Sequence, residues 1–212
     1  MAARVITIAQ QKGGAGKTTL AAHLALAWQG LGERVALVDI DPQGSLSHWF
    51  ALREAHLGKG NTGIDLTQIT GWRASAEIDR LKRAYSLVVV DSPPHAQTDA
   101  KIAVRAANLV VIPVQPSPLD VWATRPTVDL AASEKVPALL VMNRVPSRRL
   151  MTDEMIAALG EIQAELAAAR IGNRSSFAMS MAAGLGIAEH APDTIAAREV
   201  GKVAREVLRR IG

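Results

Sequence analysis

The 212-residue sequence contains no cysteine, which excludes disulfides, Cys-ligated zinc and iron–sulfur clusters. Aromatic residues make up only 3 % of the chain, and that scarcity argues against a stacking surface for single-stranded nucleic acid. No apolar run approaches the ~20 residues that cross a bilayer. The N-terminus enters an apolar run at once, so no signal peptide is expected and the cytoplasm is the expected location. There is no internal repeat, no low-complexity segment and no long structureless linker. With 49 % apolar residues, the chain is long enough for one sizeable core and short for two, so residues 1–212 are expected to form a single domain. The net charge of +4 permits contact with nucleic acid or an anionic membrane without establishing either.

What is present is an alternation of apolar, strand-like runs with helical patterns. Strands are expected at Val5–Ala9, Arg34–Asp39, Leu87–Asp91, Leu109–Ile112 (stopped by Pro113) and Ala138–Met142, with a short one within Ile64–Ile69. The Leu87 run does not alternate and is rich in β-branched residues, as in a strand buried on both faces. Helices are expected at Leu20–Ala27, Ser45–His56, Ala74–Ala84, Thr98–Ala106, Leu119–Ser133, Thr152–Ala169, Ser175–Ala183 and Thr194–Ile211. Pro126 should kink or break the fifth of these near Arg125. The order implies an α/β fold with one doubly wound, mainly parallel sheet flanked by helices.

The first strand and first helix enclose Gln10-Gln11-Lys12-Gly13-Gly14-Ala15-Gly16-Lys17-Thr18-Thr19. Strand, glycine-rich loop and helix are the setting of a phosphate-binding loop. Gly13, Gly14 and Gly16 let backbone N–H groups, including that of Ala15, turn toward a phosphate. The helix N-terminus adds partial positive charge. Lys17 is expected to reach the β- and γ-phosphates of ATP, and the Thr18 hydroxyl, followed by Thr19, to bind Mg²⁺. Position 11, where the loop usually carries its first glycine, is glutamine, and Lys12 follows it. This pattern resembles the deviant Walker A loop of the ParA/MinD family of ATPases. Within that family it most resembles the small plasmid-partition (ParF-like) ParA proteins without an N-terminal helix-turn-helix. The missing cysteines argue against two relatives with similar loops, the nitrogenase iron protein and the iron–sulfur carrier ATPases.

Ligands in such sheets sit at the carboxyl ends of the strands, and three strand ends here carry polar groups. Asp91, before Ser92-Pro93-Pro94, suits a Walker-B acid that holds Mg²⁺; the ordinary alternative is a capping Asp. Asp39-Ile40-Asp41-Pro42-Gln43-Gly44 resembles the family's DxDPQG motif. One acid, Asp39, is expected to organise the magnesium shell, and the resemblance implies that Asp41 positions the attacking water. Asn143 suits the adenine edge because an amide both donates and accepts, with a turn-capping role as its competitor. Gln115–Asp120 resembles a segment that senses nucleotide state. Resemblance further implies that Lys12 reaches the phosphates of a second protomer in an ATP-dependent homodimer and offsets charge there as an arginine finger does. The plain alternative is a surface lysine.

Residues 170–212 hold seven basic and four acidic residues, a net of +3. Arg198, Lys202, Arg205 and Arg209 recur at three- and four-residue spacing on one helix face. With Arg174 they form a candidate DNA-backbone patch, whose alternative is an ordinary solvated face; Arg144, Arg148 and Arg149 form a second basic group. The resemblance implies a weak ATPase, nucleoid-associated through non-specific DNA binding and stimulated by a cargo-bound adaptor of ParB type. The cargo would be a plasmid or chromosome, or a protein assembly such as a chemoreceptor cluster or carboxysome. Membrane binding of MinD type is not expected, because the last helix offers Val, Ala and Ile but no large aromatic. A metabolic enzyme resembling dethiobiotin synthetase is the remaining alternative.

Overall fold

The structure, a computed structural model, describes residues 3–69, 71–94, 97–146 and 153–212. Seven strands form one sheet: β1 (Arg4–Ile8), β2 (Val35–Asp39), β3 (Asp65–Gln68), β4 (Leu87–Asp91), β5 (Leu109–Val114), β6 (Ala138–Met142) and β7 (Glu165–Leu166). Their order is β3-β2-β4-β1-β5-β6-β7, and every pairing is parallel. Ten helices accompany them among the described residues: α1 (Lys17–Gly30), α2 (Ser45–Leu57), α3 (Arg73–Leu81), α4 (Gln97–Arg105), α5 (Pro118–Trp122), α6 (Arg125–Ser133), α7 (Asp153–Gly160), α8 (Ser175–Ala182), α9 (Ile187–His190) and α10 (Ile195–Arg210).

Alternate strand residues serve opposite faces, as the pleat requires. Ile6, Leu37, Val89, Val111 and Val141 pack with α1, α2, α8, α9 and α10. Val5, Val38, Val88, Val110 and Leu140 pack with α3, α4, α6 and α7 on the other face. Because both faces are covered, the central strands read as continuous apolar runs. Helix α1 is buried on nearly every side between the sheet and α10. Its Trp28 is fully buried, with the indole N–H donating to the Ala204 carbonyl at 2.9 Å. Side chains buried to this degree cost about 3–5 kcal/mol when truncated to alanine.

Most expected elements shift by one to three residues at their ends, and two differences have a specific cause. The helix expected over Thr152–Ala169 ends at Gly160, with Thr152 itself outside the described residues, and its C-terminal part becomes edge strand β7 and a following loop. Alanine's helix propensity is overridden because other acceptors take the backbone donors. The Ala167 N–H donates to the Leu140 carbonyl, and the Ala168 and Ala169 N–H groups donate to the Glu206 carboxylate, each within 2.9 Å. Strand β5 also runs through Pro113 rather than stopping there. The Pro113 carbonyl points to the β1 side and accepts from the Gln10 side chain at 3.3 Å. Pairing with β1 has already ended at Val111, so the absent N–H leaves no ladder bond unmade. Pro126 lies in the first turn of α6, and the chain breaks between α5 and α6 near Arg125 as expected.

His23 on α1 is buried, accepts a hydrogen bond at Nδ1 from the Ile187 N–H at 3.1 Å and meets the Phe177 ring edge-on. Burial drives its pKa down from 6.5 to about 4, against the opposing pull of Glu189. The unfolded chain takes up this proton near pH 6.5 and the native state only near 4. Stability should therefore fall as pH drops through that window, by up to roughly 3 kcal/mol from this group. Urea unfolding at pH 7, 5.5 and 4.5 measures the fall, and it should be shallower in His23→Asn. Equal slopes for the two proteins would refute this assignment.

Candidate functional site

The parallel register ends three strands level: Ile8 lies beside Asp91, and Asp91 beside Asp39. The chain leaving β1 curls through Gly14 (φ 75°) and Gly16 (φ 93°) into α1. These are left-handed conformations open to glycine at no steric cost. A methyl group on Gly16 would also lie 2.6 Å from the Asn143 amide nitrogen. Asn143, at the end of β6, is buried and donates to the Ala15 carbonyl at 2.9 Å, while its Oδ1 accepts from the Arg144 N–H at 3.0 Å. The residue expected at the adenine edge thus has its amide turned to the loop. Arg144, which follows it, takes a left-handed conformation (φ 54°).

Lys17 opens α1 and is buried. Burial lowers its pKa, and the carboxylates of Asp91 and Asp41 pull the other way. The Thr18 hydroxyl donates to Asp91 Oδ2 at 2.7 Å. The other oxygen, Oδ1, is buried and has no hydrogen-bond partner among the described residues. Burial pushes the Asp91 pKa up to about 7; the Thr18 hydrogen bond and Lys17 oppose this, and Asp39 and Asp41 add to it. A buried carboxylate with one unmatched oxygen beside a threonine hydroxyl fits a hard divalent cation. Thr18 and Asp91 are the residues that would hold such a cation.

Asp39 is occupied differently. Its Oδ2 accepts from the Ser47 N–H (2.9 Å) and hydroxyl (2.7 Å), and its Oδ1 from the Asp41 N–H at 3.1 Å. Both oxygens therefore anchor the first turn of α2 and the turn that carries Asp41. Asp41 accepts from the Gln43 N–H at 3.0 Å and presents its charge toward Lys17.

Lys12 sits on the loop rim, its side chain 40 % exposed, with Nζ 2.5 Å from Asp120 Oδ1 in α5. Asp120 is itself held by Ser117. Beneath this pair the Gln10 amide donates to Thr124 Oγ1 (3.1 Å) and accepts from the Lys12 N–H (3.3 Å). The Gln11 N–H donates to Thr127 Oγ1 at 3.2 Å, and Gln115 donates to the Gly14 carbonyl at 3.0 Å. Asp120, Thr124 and Thr127 were not singled out from sequence. Their spacing of four and three residues was the available signal, because it lines polar groups on one helical face.

A cleft of about 840 Å³ runs from the loop (Gly16, Thr18, Thr19) past Asn143 to Arg174. At its far wall Arg174 forms a two-point pair with Glu199 of α10 (2.6 and 3.1 Å), so this member of the basic set is tied into the cleft. Arg198, Lys202, Arg205 and Arg209 share α10 and have no carboxylate partner among the described residues. Lys202, Arg205 and Arg209 border a shallow hollow beside Ala168 and Ala169. Of the second basic group, Arg148 and Arg149 lie outside the described residues. No described helix is long and apolar enough to cross a membrane.

Comparison with known proteins agrees with this geometry. Residues 6–187 match the CobQ/CobB/MinD/ParA nucleotide binding domain. The chain is 30 % identical to the maintenance of carboxysome distribution protein A of Halothiobacillus neapolitanus, covering 96 % of this chain and 95 % of that protein. It is 31 % identical to the chromosome-partitioning ATPase Soj of Thermus thermophilus, covering 98 % and 96 %. The carboxysome protein of Gloeobacter kilaueensis is 45 % identical over 60 % of this chain, and that match spans 56 % of the relative's length. Among solved structures, septum site-determining protein MinD of Pyrococcus horikoshii with Mg-ADP superposes with a TM-score of 0.80 at 21 % identity, covering 99 % of this chain and 98 % of that one.

Replacing Asn143 by Asp would put a carboxylate oxygen against the Ala15 carbonyl where an N–H now donates. Asn143→Asp should lower ATP affinity by at least about tenfold, the cost of one lost buried hydrogen bond plus repulsion. Isothermal calorimetry reads this directly, and unchanged affinity would show that the amide does not hold the loop.

Proposed function

The chain belongs to the CobQ/CobB/MinD/ParA nucleotide-binding family, and we propose that it is a partitioning switch: a Mg²⁺-dependent ATPase domain, residues 1–212, whose ATP-bound homodimer binds DNA without sequence preference. One observation carries the reading: two lysines on a single loop in unlike settings. Lys17 is buried against Asp91 and Asp41, whereas Lys12 stands at the rim, held by one carboxylate. Lys17 and the loop amides of Gly13 to Thr19 take the β- and γ-phosphates, and Thr18 and Asp91 hold Mg²⁺, with Asp39 fixing the turn beside them. Lys12, released from Asp120, supplies positive charge to the phosphates of a second copy, where charge develops in phosphoryl transfer. Asp41 orients the attacking water. Loss of the γ-phosphate removes the contacts that hold the dimer.

The cations of α10 are the proposed DNA contact, with Arg198, Lys202, Arg205 and Arg209 free of carboxylates among the described residues. Dimerisation doubles the patch, which gives ATP a physical means of gating affinity. The apolar residues of α10, Val200, Val203 and Val207, are buried in the core, which favours DNA over membrane insertion. A cargo-bound adaptor of ParB type would stimulate hydrolysis, in the cytoplasm at the nucleoid. Full-length similarity to Soj supports a plasmid or chromosome as cargo, and full-length similarity to the carboxysome distribution protein supports a protein assembly.

Binding to unrelated duplex DNA with ATP, ADP or no nucleotide across a salt series tests the proposal. Binding should require ATP, survive Asp41→Ala and disappear with Lys12→Ala. Converting Lys202, Arg205 and Arg209 to alanine should weaken it at least tenfold and flatten the logarithmic salt slope by about 3 per protomer. Absence of binding in every nucleotide state at low salt would remove the central step of the proposal.

A further inference from the structure

The far wall of the cleft is built around a planar group. The Arg174 guanidinium lies over Gly172, where an added methyl carbon would meet Nη2 at 2.9 Å, and Cζ and Nε both at 3.1 Å. Three nearly equal distances mean that the plane faces the glycine. Only a residue without a side chain lets it lie there. In that plane, Nε and Nη2 donate to the two oxygens of Glu199 at 3.1 and 2.6 Å. Glu199 also accepts from the Gly172 N–H at 3.0 Å, which fixes the acid, the glycine and the arginine as one unit. Arg174 keeps 31 % of its side-chain surface accessible and lines the cleft that begins at Gly16 and Thr18. A guanidinium fixed flat by a two-point carboxylate pair is a stacking surface for an aromatic ring. Its charge is already matched, so it has little to offer a DNA phosphate.

The geometry points to Arg174 as the platform on which the nucleotide base stacks, with Glu199 and Gly172 as the residues that hold it. The inference rests on reading the cleft as the ATP site. The phosphate half of ATP then lies at the loop and the base half against Arg174. Arg174 thereby leaves the DNA-binding set and joins the nucleotide site.

A charge-preserving substitution separates the two roles. Lysine keeps the point charge that a phosphate contact uses, but it has no plane on which a ring can stack. Calorimetric titration of wild type, Arg174→Lys, Arg174→Ala and Glu199→Gln with Mg²⁺ and either ATP or inorganic tripolyphosphate reads base and phosphate contributions apart. Both Arg174 variants should bind ATP about tenfold more weakly while tripolyphosphate affinity stays unchanged. Glu199→Gln should shift ATP affinity in the same direction by a smaller factor. Thermal melts identify any variant that fails to fold, and the lysine variant keeps the stem and charge. Wild-type ATP affinity in Arg174→Lys would overturn the inference, as would a parallel loss of tripolyphosphate. If the wild type binds tripolyphosphate but not ATP, the ATP reading fails and the platform with it. In the DNA assay, a salt slope unchanged between wild type and Arg174→Ala is expected. A slope lowered by about 1 in Arg174→Ala and restored in Arg174→Lys would return the residue to the DNA surface.

Discussion

Asp91 is a carboxylate with almost no exposure, one oxygen bonded to Thr18 and the other without a hydrogen-bond partner among the described residues. Leaving a charge in that state is costly, and its raised pKa expresses the cost. The surrounding architecture is arranged around this deficit. The register of β2, β4 and β1 brings Asp39 and the phosphate loop level with it. Lys17 supplies one positive charge and is itself partly desolvated. Asp39 adds negative charge nearby, but its oxygens are satisfied by Ser47 and by the backbone of Asp41. Two acids on adjacent strands therefore take different roles: Asp39 fixes the backbone, and Asp91 remains the incomplete one. A divalent cation is the addition that satisfies both the geometry and the charge.

A second constraint lies on the other side of the loop. Gln10 occupies a buried position and hydrogen-bonds with Pro113, Thr124 and Thr127, so the start of the loop is joined to β5 and to the first turn of α6. Lys12 meets Asp120 just above this network. The loop is thus held from two directions: Asn143 grips Ala15 from β6, while Gln10 and Gln115 connect its first half to the β5–α6 region. Any movement of Gln115–Asp120 must alter Lys12, because Asp120 is its carboxylate partner. The exposed Leu119 and Trp122 stand on that same short helix.

The parts of this arrangement that were legible in sequence are those set by local chemistry. Glycines before Lys17-Thr18, acids at strand ends and unbroken β-branched runs each follow from backbone or burial requirements, and they fixed the sheet and the phosphate end of the site. What was not legible depends on partners remote in sequence. The alanine-rich stretch to Ala169 has the propensity of a helix, yet Leu140 and Glu206 claim its N–H groups. Nothing local announces an acceptor 37 residues away. Asn143 has the chemistry of a base reader, but the close approach of Gly16 turns its amide inward. Arg174 looked like one more cation until Glu199 fixed it beside Gly172.

Helix α10 shows how such remote pairings sort charge. Its two acids both point inward: Glu199 to Arg174 and the Gly172 N–H, and Glu206 to the Ala168 and Ala169 N–H groups. Arg198, Lys202, Arg205 and Arg209 are left facing water without a carboxylate among the described residues. The acids of α10 are turned to backbone N–H groups and to Arg174 and Arg210, so the outer face of the helix presents cations. Solvent-facing cations of one sign attract a polyanion through counterion release, whatever its sequence. Glu199 meanwhile fastens the same helix to Arg174 and Gly172 in the cleft wall. A shift of that wall would be carried into α10 through Glu199, so the helix proposed to meet DNA is mechanically tied to the cleft.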